Sequence, residues 1–188
     1  GMDALAFVQD QVTRRGVFHD LDVVVGRLGF GEHDARLGGT DHSGRSAAVA
    51  VACDSLGLAQ AMLDATVSYV KVRNQFGRPI GSFQAVKHAC ADMLVSLAVS
   101  RQLVTAAVQA VAAGADAGVA ASMAKAHATG AAVDIAGKAM QLHGGIGYTW
   151  ESGIHVYLKR AALNRSLFGS PAAHRQTLAE RYTESRSH

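Results

Sequence analysis

Cysteine, proline and aromatic residues are all scarce in this chain of 188 residues, which holds two Cys, two Pro, one Trp, four Tyr and six Phe. Two lone cysteines, Cys53 and Cys90, exclude a disulfide framework; set in apolar helical pattern, they read as buried thiols. With few aromatics and Ala supplying much of the apolar content, the composition suits close-packed helices better than a sandwich or barrel. The net charge is only +3, and Lys and Arg are spread along the chain, so no basic stripe offers a nucleic-acid footprint. The nine His residues are dispersed and none has the spacing of a metal site. No run of about 18 unbroken apolar residues marks a membrane span. The opening GMDALAFVQDQVTRR lacks the layout of a signal peptide, and its leading Gly reads as a tag remnant. No nucleic acid, metal or membrane is expected, and the composition points to a soluble protein of the cytoplasm.

What is present is helical pattern, after a different start. Residues 1–42 hold a possible short helix over 3–14, a β-type run Asp22-Val23-Val24-Val25, and glycine-dense charged sequence through Gly38-Gly39-Thr40-Asp41. Beyond them, Val49, Cys53, Leu56, Gln60, Leu63, Val67 and Val70 recur at three- and four-residue steps, which predicts one buried face of a helix over 43–74. Gly77 and Pro79 supply its stop. Ser82 is the expected N-cap of a second helix reaching Ala113, with Val86, Cys90, Met93, Leu97, Val104, Val108 and Val111 inward. Gly114 breaks the pattern, and Asp116 is positioned to cap a third helix ending near His143. Its small residues, among them Ala120, Ala121, Ala124, Ala128 and Gly130, permit close helix approach. A fourth helix is expected over 151–165, with Ile154, Leu158 and Ala161 inward. Pro171, favourable at a first helical position, opens a last helix that frays from Thr183. The expected fold is all-α: an up-down antiparallel four-helix bundle over 43–188, behind a short N-terminal β/loop segment at 1–42.

Two segments interrupt the helices with glycine and polar side chains: Arg73-Asn74-Gln75-Phe76-Gly77-Arg78-Pro79-Ile80 and Gln141-Leu142-His143-Gly144-Gly145-Ile146-Gly147-Tyr148. An Arg fork suits a pyrophosphate, an amide reaches phosphate or ribose, and an aromatic ring stacks on adenine. Gly144, Gly145 and Gly147 let backbone approach a ligand where a side chain would clash. Each segment taken alone also fits an ordinary helix end: an Arg complementing the helix dipole with a Phe tucked inward, and a glycine C-cap and turn. His143 reads as an interhelical or solvent contact.

In order and spacing these segments, with Leu56-Gly57-Leu58, Phe83-Gln84, Ala124-Lys125 and Lys159-Arg160-Ala161 between and after them, resemble the C-terminal helical domain of the acyl-CoA dehydrogenase family over about residues 43–183. The resemblance implies an FAD site at a dimer interface, with dimers often paired into tetramers. It would set Arg73, Gln75, Phe76 and Gln84 along the adenosine and pyrophosphate half of FAD, completed by Gln141, Gly144 and Gly145. Ser170 falls where the family often has a Thr near the flavin.

The same resemblance exposes a gap. The family removes the α-proton of an acyl-CoA thioester with a glutamate, usually just ahead of a Gly-Thr or Gly-Ser. That position here is Phe168, before Gly169-Ser170, and the alternative position on the first helix is Ala47. Neither side chain is a base, so no catalytic residue is assigned. Asp54 lies two turns beyond Ala47, roughly 10 Å along the helix, and reads as a solvated or capping group. Glu151 reads as a structural carboxylate favoured by the dipole of the fourth helix. Family members also carry N-terminal helical and middle β-domains, of which residues 1–42 have room for only the last strand or two. Two functions are therefore expected. One is an acyl-CoA dehydrogenase-type polypeptide that supplies an FAD half-site within a homo-oligomer or beside a longer family chain that brings the Glu. The other is a non-catalytic helical assembly module that has kept the fold.

Overall fold

The computed structural model describes residues 42–114 and 116–185. The expectations for residues 1–41, a short helix and a β-type run among them, lie outside the described residues. Helix α1 spans His42–Val72. A two-strand hairpin follows, β1 (Asn74–Gln75) and β2 (Arg78–Pro79), then a 3-10 turn at Ile80–Ser82. Helix α2 spans Gln84–Ala112 and α3 Gly118–His143. Two 3-10 turns, Gly144–Tyr148 and Trp150–Ser152, lead into α4 (Ile154–Ser166), and α5 is Pro171–Ser185.

Side-chain pairs fix the directions. Arg45 pairs with Asp116 at 3.2 Å where α1 begins and α3 is about to begin, and Tyr69 stacks on His143 where both end. The two helices are therefore parallel. Helix α2 runs against them, since Asp92 meets Lys138 while Ser100 meets the earlier His127. Asn164 of α4 bonds Asp54 and Ser55 at mid-α1, and in α5 His174 contacts Ser122 and Arg181 contacts Asp116. Thus α4 and α5 lie end to end and together fill the fourth position of an up-down bundle. Asp116, held by the Gly118 N–H and then by Arg181, has its carboxyl below the usual range, and it ties three helix ends together.

The periodicity of α1 is realised in full: Val49, Cys53, Leu56, Gln60, Leu63, Val67 and Val70 are all buried. Cys90, Met93, Leu97 and Val104 of α2 face them, and the alanines of α3 (Ala121, Ala124, Ala128 and Ala132) sit between, their small side chains letting three helix backbones close on one another. Val86, Val108 and Val111 are only half-buried at the ends of the stripe.

Several boundaries depart from the sequence expectations. Helix α1 stops at Val72, and the stop is a hairpin rather than a simple cap, with Asn74 opposite Pro79 and Gln75 opposite Arg78. Its two turn residues, Phe76 at φ 53° and Gly77 at φ 76°, both take the positive φ that a tight hairpin turn needs. Ser82 does not cap α2, because the 3-10 turn displaces the helix start to Gln84 and leaves Phe83 at the N-cap without a side-chain bond. Asp116 does accept from the Gly118 N–H at 3.1 Å. Glu151 precedes α4, which begins at Ile154 with no acidic residue in its first turn, so it lies ahead of the turn where a dipole contact was expected. Thr183 is still helical and bonds back to the Ala179 carbonyl, and α5 runs to Ser185.

Helices α1 and α2 are each long and apolar enough, by length and composition, to cross a membrane, although polar residues interrupt any unbroken run. Their most apolar stretches share a mean hydropathy of 1.4; in α1 61% of that stretch is buried within the protein and in α2 22%. Both cysteines are buried and free. Burial, with Asp54 adding to it, pushes the Cys53 thiol up to about 11, and burial also raises Cys90. Neither thiol is expected to react with an aromatic disulfide reagent in the folded protein, and both are expected to react once it is unfolded in guanidinium. Rapid titration of either in the native state would contradict this.

Candidate functional site

At one end of the bundle, Arg73 follows the last turn of α1, Gln75 and Phe76 form the hairpin, and Gln84 is the first residue of α2. Gln141 sits in the last turn of α3, and Gly144 and Gly145 open the 3-10 turn beyond it. All seven are exposed. The two segments are brought together by a contact that the glycine pattern does not announce. The Tyr69 and His143 rings stack at 4.3 Å between centroids, and the Tyr69 hydroxyl donates to the His143 carbonyl at 3.4 Å. His143, read from sequence as an interhelical or solvent contact, is the interhelical kind; its Nδ1 lies 2.7 Å from the Ala139 carbonyl.

The hairpin is closed at its base by the Ile80 N–H on the Arg73 carbonyl. It is braced by Phe83, which meets the Phe76 ring edge-on at 6.2 Å and carries the Arg78 guanidinium over its face at 4.1 Å. Phe76 nevertheless remains 90% exposed, so the aromatic side chain stands out from the protein rather than tucking into the core. The glycines divide by function. Gly144 has φ 62° and open space around it, and Gly145 has open space too, whereas a Cβ on Gly147 would stand 2.6 Å from the Met140 carbonyl. Gly147 is needed for packing, whereas a side chain at Gly145 would meet no neighbouring atom. Guanidinium, amides, an aromatic face and open backbone form a donor set that fits a pyrophosphate and an adenine.

The second feature is a cleft of about 900 Å³ between α1, α4 and the turn after α4, at the upper end of small-molecule pockets. Ala47, Ala50, Gly57 and Ala61 give one wall, and Val156, Tyr157, Leu167 and Phe168 the other. Both positions singled out for a missing base, Ala47 and Phe168, therefore face the same cavity.

Asp54 also lines the cleft, where it is neither merely solvated nor a helix cap. Its Oδ2 accepts from Arg160 Nε at 3.0 Å and from Asn164 Nδ2 at 2.5 Å. Asn164, itself buried, donates again to Ser55 Oγ at 3.1 Å. Sequence reasoning missed Arg160 and Asn164 as site residues. The available signal was an Asn three residues after Ala161 on the inward face of α4, where an unpartnered amide is costly.

Phe168 is held in place by the turn that carries it. Phe168 has φ 52° and Gly169 φ 96°, two successive left-handed residues of which the first carries a strained side chain. Their carbonyls are taken up by two donors, the half-buried His174 and the buried Lys125. His174 Nε2 lies 2.9 Å from the Phe168 oxygen, so Nε2 carries the proton and Nδ1 accepts from the Ser122 hydroxyl at 3.2 Å. Lys125 Nζ donates to the Gly169 oxygen at 2.8 Å. Burial lowers the pKa of His174 and brings Lys125 down to about 8. Ser170, beside this turn, accepts from the Ala173 N–H at 3.2 Å and caps α5. Among the described residues no cluster of His, Cys, Asp or Glu could hold a metal ion.

Comparison with known proteins agrees with this layout. The chain is 43% identical over 126 residues to the acyl-CoA dehydrogenase IpdE2 of Mycobacterium tuberculosis, covering 67% of this chain and 38% of that protein. It is 33% identical over 157 residues to the short/branched chain specific acyl-CoA dehydrogenase of Bos taurus, covering 84% and 35%. Among solved structures, a variant of the Tcur3481-Tcur3483 steroid ACAD superposes with a TM-score of 0.73 at 35% identity, covering 77% of this chain and 40% of that one. Butyryl-CoA dehydrogenase from Megasphaera elsdenii gives 0.73 at 28% identity, covering 75% and 37%. The chain spans about two fifths of the length of these relatives. The family model for the acyl-CoA dehydrogenase C-terminal domain matches residues 45–183, and the chain belongs to the acyl-CoA dehydrogenase family through that domain.

Proposed function

We propose that this chain is an acyl-CoA dehydrogenase-type polypeptide that supplies the adenosine and pyrophosphate half of an FAD site and leaves the catalytic base to another chain. FAD, when bound, supplies the electron acceptor for α,β-dehydrogenation of an acyl-CoA thioester. Arg73 would pair with the pyrophosphate, Gln75, Gln84 and Gln141 would bond phosphate or ribose, and Phe76 would stack on adenine. Gly144 and Gly145 would give the cofactor close access to backbone. The observation that carries the reading is that Ala47 and Phe168 both line the one cleft. Removing an α-proton needs a base within hydrogen-bond reach of it, and neither side chain can accept a proton. The cofactor donors are present, both family base positions lack a carboxylate, and the Asp54 carboxylate in the same cleft is engaged by Arg160 and Asn164. This fits an FAD half-site completed in the cytoplasm by a second copy or by a longer family chain, the longer chain bringing the base.

The chain purified alone is expected to show no visible flavin absorbance and no acyl-CoA oxidation, and to gain both when co-purified with a family chain carrying the Glu. In that complex Arg73→Ala is expected to weaken FAD at least about tenfold, the scale of one charge-assisted hydrogen bond. Robust dehydrogenation by the chain alone would overturn the proposal. FAD absent from every pairing, with Arg73→Ala silent, would instead leave an assembly module.

A further inference from the structure

A helix leaves its last four carbonyls without partners inside the helix, and its final turn takes its direction from whatever satisfies them. At the end of the bundle that carries both segments, one residue serves two helices. The Tyr69 carbonyl, in the last turn of α1, accepts from the Arg73 N–H at 2.9 Å, which fixes where the chain leaves that helix. The Tyr69 hydroxyl donates to the His143 carbonyl, the last of α3, at 3.4 Å. Its ring lies 4.3 Å from the His143 imidazole, with 22° between the planes. His143 passes this on to the glycine turn. Its Nδ1 donates to the Ala139 carbonyl at 2.7 Å, since a carbonyl can only accept, and so the buried ring is tied to its own helix. The Gly144 N–H turns back on the Gln141 carbonyl. The peptide joining His143 to Gly144 is therefore bonded on both sides, its oxygen by Tyr69 and its N–H by Gln141. Gly147 then folds onto His143, where a Cβ would stand 3.2 Å from His143 Cβ. A shift of the imidazole carries the turn with it.

We infer, on the half-site reading above, that Tyr69 is the positioning residue of that site: it touches no ligand, and it sets the spacing between the Arg73 hairpin and the Gly144-Gly145 turn. Arg73, Gln75 and Phe76 stand on one segment, and Gln141, Gly144 and Gly145 on the other. Groups that grip one ligand from two segments must be kept within about 0.5 Å of their places. Helix packing fixes the two axes, but helix ends fray. A bond between two long, flexible side chains would let the segments drift, whereas two stacked rings allow little movement. The half-buried Tyr69 and the buried His143 supply such a spacer at the point where both helices end.

Two measurements on the full chain test this: amide hydrogen exchange, and titration with ADP, which carries an adenosine and a diphosphate and no flavin ring. Tyr69→Leu keeps apolar bulk and removes the ring and the hydroxyl. It is expected to speed exchange both in residues 73–80 and in the turn at Gly144–Tyr148, while the mid-helix amides of α2 stay protected. It is also expected to weaken ADP about fivefold, the scale of one aromatic pair. His143→Ala is expected to do the same, and the double variant no more than either alone, because one contact carries both effects. His143→Phe restores a ring to the stack and keeps the carbonyl, and is expected to bind ADP within about twofold of the wild type. Arg73→Ala is expected to lose ADP with exchange unchanged, which separates binding from positioning. ADP affinity unmoved by Tyr69→Leu where Arg73→Ala lowers it, or His143→Phe no better than His143→Ala, would overturn the inference and leave the half-site standing. ADP affinity unmoved by Arg73→Ala would remove the half-site reading itself.

Discussion

Replacing Lys125 with Ala is expected to cost the fold about 3 kcal/mol near neutral pH, by the combined loss of a buried side chain and of donors to buried carbonyls. Lys125 is wholly buried. Its ammonium reaches the Gly169 oxygen at 2.8 Å and the Arg165 oxygen at 3.5 Å, where α4 ends. No ion pair to it is found among the described residues. Removing it frees both carbonyls inside the protein, in a turn that already carries two left-handed residues. The pH dependence gives a second readout. Burial sets the folded pKa at about 8, below the ordinary 10.5. Between those values the unfolded chain holds a proton that the folded one has released, so stability rises with pH. The gap between wild type and variant is therefore expected to widen by roughly 2 kcal/mol between about pH 7 and pH 10. Urea unfolding at both pH values measures it. An unchanged gap would mean that the lysine does not lose its proton in that window.

Gly147→Ala is expected to destabilise the protein by about 3 kcal/mol, the upper part of the range for forcing atoms into a packed site, while Gly145→Ala stays within about 0.5 kcal/mol. The two glycines lie two residues apart in one turn and differ in what a methyl group would meet. At Gly147 it meets the Met140 backbone carbonyl at 2.6 Å and His143 Cβ at 3.2 Å, and a helix carbonyl cannot swing aside; at Gly145 it meets nothing within 4 Å. Thermal melts of the two variants give the comparison. If the flavin half-site proposed above is right, the pattern divides differently in a flavin-loaded complex: Gly145→Ala is expected to lose cofactor while keeping its stability, because the methyl group would enter the space that the proposal gives to the cofactor. Equal melts for the two variants would show that the turn adjusts more easily than its packing indicates.

Much of the fold was legible from periodicity. The seven inward positions of α1 are buried because a helix repeats every 3.6 residues and the sequence keeps apolar or shielded residues at that step. The glycine-marked breaks fall at real junctions, and Pro171 opens α5 as its fixed φ and missing N–H favour. The hairpin was not legible, because the first of its two positive-φ positions is held by Phe76 rather than by Asn or Gly. The start of α2 moved past Ser82 because the hairpin's return strand continues into a 3-10 turn. Of the site, Arg73, Gln75, Phe76, Gln84, Gln141, Gly144 and Gly145 were readable as residues; the stacked Tyr69 and His143 that set their two segments side by side were not. Asp54 was seen but misjudged, since Arg160 and Asn164, which hold it, lie 106 and 110 positions away.

Which stretches are helical, where they break, which face of each turns inward, and the lack of a carboxylate at Ala47 and Phe168 all follow from residue order. Tertiary structure alone decided that α4 and α5 share one position of the bundle, that both segments gather at one end, and that Ala47, Asp54 and Phe168 look into one cleft. The division has a physical cause. Local periodicity reports that a face is buried, because the cost of exposing it falls on each turn separately. It carries no record of what the face is buried against, since a contact across a hundred residues is set by the packing of whole helices.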